Sequence, residues 1–128
     1  MRIVLSLVLL GSFCHVSGQE GTIPRWEIVA LAESLQQDTE AVEEILKRIR
    51  PEEWIQDGAS DVYVSQRKML RGDVGNLKLS AQEMVRDPEK LSAAINTFLW
   101  LERVSSLLDS ISAGVRKYQN TALADLLE

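Results

Sequence analysis

Thiol and imidazole chemistry is almost missing from this chain. One cysteine, Cys14, and one histidine, His15, stand side by side near the N-terminus, and residues 19–128 contain neither. That stretch can therefore form no disulfide, no zinc site built from Cys and His, and no Ser-His-Asp or Cys-His nucleophile. The di-iron pattern of helical bundles, which needs Glu-x-x-His twice, cannot be written there either. Gly/Ser linkers, low-complexity runs and repeats are absent, and no segment alternates with period two for long enough to read as a strand. Prolines are few, and Pro24, Pro51 and Pro88 divide the chain into three long segments. No catalytic residue, metal ligand or cofactor is expected from such a composition.

Long apolar runs are also absent, with one exception. Met1-Arg2 gives a short positive start, Ile3 to Cys14 is apolar, and Val16-Ser17-Gly18 places small residues where a signal peptidase reads them. The run falls short of the ~20 apolar residues that a spanning helix needs. Residues 1–18 are read as a cleaved signal peptide, which makes the protein exported, periplasmic or extracellular. Residues 19–128 are then one domain with no stable transmembrane span. A lipid anchor on Cys14 is disfavoured because such sites want a small residue before the cysteine, and Phe13 is large.

Positive charge is scarce as well. The whole chain has a formal net charge of −5, and losing Arg2 with the signal makes the remainder more acidic. That balance opposes nucleic-acid binding, which relies on Lys and Arg neutralising phosphates. The basic cluster Lys47, Arg48 and Arg50 follows Glu40, Glu43 and Glu44. The i,i+4 pairs Glu43–Lys47 and Glu44–Arg48 mark it as a solvated helix face.

What the chain has in quantity is helical periodicity. From Pro24 to Arg50, Ile28, Leu31, Leu35, Val42, Ile45, Leu46 and Ile49 form a narrow stripe, with Asp38 its one clear polar interruption. From Ser60 to Arg86, Tyr63, Leu70, Val74, Leu77, Ala81 and Met84 share a face with Arg67 at its edge, while Gly72 and Gly75 lie away from it. Asp87-Pro88-Glu89 then reads as a helix start, supplying a capping carboxylate and a first-turn proline. The third helix runs to about Tyr118 with a wide apolar arc through Trp100, Val104, Leu107, Leu108, Ile111 and Val115, with Phe98 and Leu101 to one side. So wide an arc suits contact with two neighbours and predicts this helix at the centre of the fold. Residues 119–128 read as a short fourth helical element or the stub of a longer one. The expected fold is all-α: a signal peptide, then an antiparallel bundle of three long helices, coiled-coil-like in its packing, plus a short C-terminal helical segment.

Within this frame, Asp38 is the polar residue most in need of a partner, because a carboxylate on a buried stripe is costly alone. In a hairpin of the first two helices it falls near Val74, within reach of Arg71, so a buried-edge ion pair is expected; the alternative is a polar contact in a ligand pocket. Trp54, in Arg50-Pro51-Glu52-Glu53-Trp54, is placed to plug one end of the bundle, and Trp100 to join the core. Trp26 projects off the stripe and suits core or interface equally. Arg71-Gly72-Asp73 spells an adhesion tripeptide but sits inside a helix, where receptors do not read it. Glu43-Glu44 and Glu52-Glu53 are adjacent carboxylates that point about 100° apart on a helix, which suits surface charge rather than acid–base work. Asp57-Gly58-Ala59-Ser60-Asp61 lacks the alternating oxygen ligands of a calcium loop and reads as a turn.

Arg50-Pro51-Glu52-Glu53-Trp54, together with Tyr118-Gln119-Asn120-Thr121-Ala122-Leu123-Ala124-Asp125-Leu126-Leu127, resembles a group of small exported helical proteins from soil acidobacteria. The group has no known activity, so the resemblance implies an exported helical bundle and brings no active site. Its members commonly continue with a further helix after the equivalent of Leu127 and often have proline where this chain has Thr121. The expectation from the whole sequence is a non-enzymatic protein that binds a protein or cell-envelope partner through the exposed remainder of the third helix's arc. A carrier of small apolar ligands, using the space between helices with Asp38 and Arg71 as polar contacts, is the alternative; Trp26 and Trp100 are the further candidate binding residues. A homodimer would also cover the arc.

Overall fold

The computed structural model describes residues 23–128, so the signal peptide, Cys14 and His15 lie outside the described residues. Five α-helices follow one another: α1 (Arg25–Leu46), α2 (Pro51–Trp54), α3 (Val62–Arg86), α4 (Leu91–Tyr118) and α5 (Thr121–Asp125), with a 3-10 turn at Ile55–Asp57. The described residues are all-helical, with no strand. No described helix is long and apolar enough to cross a membrane.

The long helices pack as two hairpins that share α3. Ser110 pairs with Gln66 and Arg103 with Asp73, so partners step in opposite directions along α3 and α4. Lys78 reaches Glu40 while Arg67 reaches the Ile49 carbonyl, which gives the same antiparallel sense for α1 and α3. Contacts of α1 with α4 are sparse by comparison. The wide arc of α4 predicts that helix at the centre; the middle position belongs to α3. Its residues Leu70, Val74, Leu77 and Ala81 are almost fully buried between the two outer helices, while part of the arc on α4 faces solvent.

Two predicted boundaries move. The first helix ends at Leu46 rather than Arg50, because Lys47 and Arg48 form a turn that drives Ile49 into the core. Arg50 leaves the helical region (φ −126°, ψ 69°), as the residue before a proline tends to. The third long helix starts at Leu91, not at Pro88. Asp87 to Lys90 is instead a turn in which the Lys90 amide donates to the Asp87 carbonyl at 3.1 Å, and Pro88 is buried in it. The surface ion pairs also differ from the expected i,i+4 set: Lys47 pairs with Glu44, and Glu43 joins Glu40 around Lys78 of α3.

One end of the bundle is closed by aromatic rings. Trp54 is buried, stacks on Tyr118 at 6.1 Å between centroids, and meets Tyr63 edge-on at 5.6 Å. The Gln119 side chain ties the pieces of this end together. Its Nε2 donates to the Arg48 carbonyl at 2.8 Å, and its Oε1 accepts from the Arg50 amide and from Trp54 Nε1. Gly58, at φ +88°, turns the chain from the 3-10 segment toward α3. The last residues dock here as well. Asn120 caps α5 by accepting from the Leu123 amide at 3.2 Å, Leu123 and Ala124 are buried, and Arg116 binds both Asp125 and Glu128. Within residues 119–128, Thr121–Asp125 form the short helix α5.

Candidate functional site

The opposite end is built differently. Apart from Leu77, the buried residues where α1, α3 and α4 meet there are small: Ala32, Thr39, Ser80, Ala81, Ala93 and Thr97. Thr39 and Thr97 bond their hydroxyls to the carbonyls of Gln36 and Ala93, so their polar atoms are satisfied within their own helices. Large apolar residues of α1 and α4 are left outside this thin interface. Leu31 is 69% exposed, Phe98 59% and Leu101 39%.

These side chains border an open groove of about 270 Å³ between α1 and α4. Leu31, Leu35 and Asp38 line it from α1, Met84 from α3, and Phe98 and Leu101 from α4. The spacing explains the arrangement: Leu31, Leu35 and Asp38 recur at i, i+4, i+7 along one strip of α1, as Ala94, Phe98 and Leu101 do along α4. A four-helix bundle would place another helix in this position.

Asp38 is therefore on the groove side of α1, exposed, and makes no ion pair among the described residues. The predicted bond to Arg71 does not form. The connection through α2 sets the register so that Lys78 stands opposite Glu40, which puts Asp38 level with Ser80 rather than Val74. Arg71 is exposed elsewhere on α3. The carboxylate that does find an arginine is Asp73: it is buried and held by Arg103, with Nη2 at 3.0 Å from Oδ2. The tripeptide Arg71-Gly72-Asp73 lies inside α3, as its spacing predicted.

The two candidate tryptophans take no part in the groove. Trp26 is 70% exposed and lines a shallow dent on another face of α1 with Arg25, Val29, Ala30 and Glu33. Trp100 is half-buried against the core, with the Arg103 guanidinium 5.3 Å from its ring centroid. Of Asp38, Arg71, Trp26 and Trp100, only Asp38 belongs to the groove, and the structure does not gather the four. Leu31, Met84, Phe98 and Leu101 complete the site. The sequence signal for Phe98 and Leu101 was their place beside an apolar arc too wide for a single neighbour, whereas Leu31 and Met84 lay on the apolar faces of their own helices.

The carboxylates nearest to acid–base pairs are not built for it. Glu52 and Glu53 diverge, one to Arg67 and the other to Arg50, and both are exposed. A second depression, lined by Met69, Asp73, Glu102, Arg103, Ser106 and Leu107, is shallow and borders the Asp73–Arg103 pair. The shifted basic groups each sit beside carboxylate or phenol partners. Hydrogen bonding to Glu40 holds Lys78 above its ordinary pKa, Glu83 does so for Lys90, and Glu128 with Asp125 for Arg116.

No protein-family model matches this chain, and comparison with curated proteins and with solved structures found no match either.

Proposed function

We propose that this is an exported, non-catalytic helical-bundle protein that docks a helical segment of a partner in the groove between α1 and α4. The carrying observation is the groove itself: Leu31 and Leu35 of α1, Met84 of α3, and Phe98 and Leu101 of α4 give it a mostly apolar lining, partly open to solvent, between two helices that touch little. Amphipathic helices are recognised in such grooves through anchors at helical spacing. The export signal supports a partner outside the cytoplasm or in the cell envelope, since Ile3 to Cys14 and the small Val16 and Gly18 have the form of a cleaved leader.

A carrier of small apolar ligands is the second reading, favoured by the same apolar lining. Ligand pockets commonly enclose ~300–1,000 Å³ and bury most of the ligand. A groove of about 270 Å³, open to solvent, gives a detached ligand little cover. It suits a segment that brings its own polar outer face.

Amide chemical shifts separate the readings. A synthetic amphipathic helical peptide is expected to perturb the amides of Leu31, Leu35, Met84, Phe98 and Leu101, and Phe98→Ser is expected to abolish the response. Perturbation of the same amides by a medium-chain fatty acid, with none by the peptide, would replace the docking reading with the carrier.

A further inference from the structure

The exposed apolar surface at the open end is wider than the groove. Leu91 is 72% exposed and Ile95 49%, and with Phe98 they recur at i, i+4, i+7 along the outside of α4. Phe98 belongs both to this ridge and to the groove wall, so ridge and groove lie side by side. Leu31 and Leu101 carry the exposed surface on across the groove.

This surface is almost free of charge. From Leu91 to Leu101 the chain has no Asp, Glu, Lys or Arg, the longest such run among the described residues. Of the residues that line the groove, only Asp38 is charged. The area is large for so small a chain. Leu31, Leu91, Ile95, Phe98 and Leu101 leave on the order of 600 Å² exposed, the upper end for the largest apolar patch of an ordinary monomer. With Ala94 and the groove edges the patch approaches the ~800 Å² per partner that a stable dimer buries.

A face that carries a groove beside a ridge is complementary to itself under a two-fold rotation, because each copy fills the other's groove at once. The uncharged run lets two such ridges enter without the like-charge cost that opposes most self-meeting surfaces. A lipid surface is a poorer match, since the ridge offers no lysine or arginine and the chain has a net charge of −5. Resting on the docking function above, we propose that the docked helix is α4 of a second copy, with Leu91, Ile95 and Phe98 of each chain seated in the α1–α4 groove of the other.

Sedimentation velocity of the full chain across the micromolar to millimolar range is expected to show the mass rising to that of two chains. Dilution should shift the amides of Leu31, Leu91, Ile95 and Phe98. Ile95→Glu places a carboxylate in the apolar interface from an exposed position and should weaken association about a hundredfold or more. Ile95 does not line the groove, so this variant should still bind the amphipathic helical peptide. Phe98→Ser should lose both dimer and peptide. Leu79→Ser, at an exposed site on α3 outside ridge and groove, should change neither. Saturating peptide should return the unmodified chain to monomer.

A chain that stays monomeric and binds the peptide would overturn the second copy and leave the docking groove standing. A monomer that ignores the peptide would overturn both. A dimer indifferent to Ile95→Glu and Phe98→Ser would be assembled through another surface and overturn the proposed occupant. A monomer that binds phosphatidylcholine vesicles through Ile95 and Phe98 would put a lipid surface in its place.

Discussion

Gly114 is the residue on which the closed end turns. A Cβ there would lie 2.8 Å from Tyr63 Cε1 and 2.9 Å from Trp54 Cζ3, so the rings occupy the space a side chain would take. Gly114→Ala should gain about 1 kcal/mol of helix propensity but lose about 1–3 kcal/mol to overpacking. A lower urea midpoint is expected. Gly72 and Gly75 have nothing within 4 Å of the same probe position, so alanine at either should raise stability by about 0.5–1 kcal/mol. Gains at all three sites would mean that the rings move aside freely. The two tolerant glycines are conspicuous in the sequence because they interrupt α3. Gly114 is not, because its partners Trp54 and Tyr63 lie more than a helix away in the chain. Asp38 and Asp73 show the same limit: each sits near an apolar stripe, and only the register between helices decides which is buried.

At the scale of elements, the attachment of α5 and the α1–α3 seam are open to measurement. Leu123 is 5% exposed, and Leu123→Ala should cost about 2–5 kcal/mol. Asn120→Ala, which removes the α5 cap, should cost about 1 kcal/mol. Near-UV dichroism from the neighbouring Tyr118 and Trp54 would show whether the end loosens with it. Lys78 joins α1 to α3, and its hydrogen bond to Glu40 raises its pKa above the ordinary 10.5. A group raised on folding contributes its stability below its unfolded pKa and loses it as pH rises through the folded value. The melting temperature should therefore fall above about pH 10.5, and Lys78→Gln should flatten part of that fall. The effect should be small, because the pair is partly exposed. An unchanged alkaline slope would show that the bridge contributes nothing. Periodicity located α3 and the end of α4 closely, since both depend on local spacing. It misplaced the start of α4 because Asp87-Pro88-Glu89 has the same composition in a turn as in a helix cap. It also misjudged which helix lies in the middle, since an apolar arc does not say whether its second neighbour belongs to the chain.

Taken as a whole molecule, the bundle is unequal from end to end. Leu46, Ile49, Trp54, Leu70, Val74, Ile111, Val115 and Leu123 gather toward the closed end, whereas the open end is sealed mainly by alanine, serine and threonine. Burial contributes about 25 cal/mol per Å² of apolar surface, so small residues stabilise each turn less than large ones. Opening should accordingly begin at the open end, since local stability follows the density of buried apolar contact. Hydrogen exchange is expected to be slowest around Leu46, Leu70 to Leu77 and Val104 to Val115. It should be faster in the first turns of α1 and α4, beyond the fraying of ordinary helix ends. A helix docked in the groove would add apolar surface at the weak end. Saturation with the amphipathic helical peptide should therefore slow exchange at Leu31 to Leu35 and Ala94 to Leu101 first, with little change near Trp54. Uniform slowing across all three long helices would mean that exchange proceeds by global unfolding, leaving no weak end for the partner to strengthen.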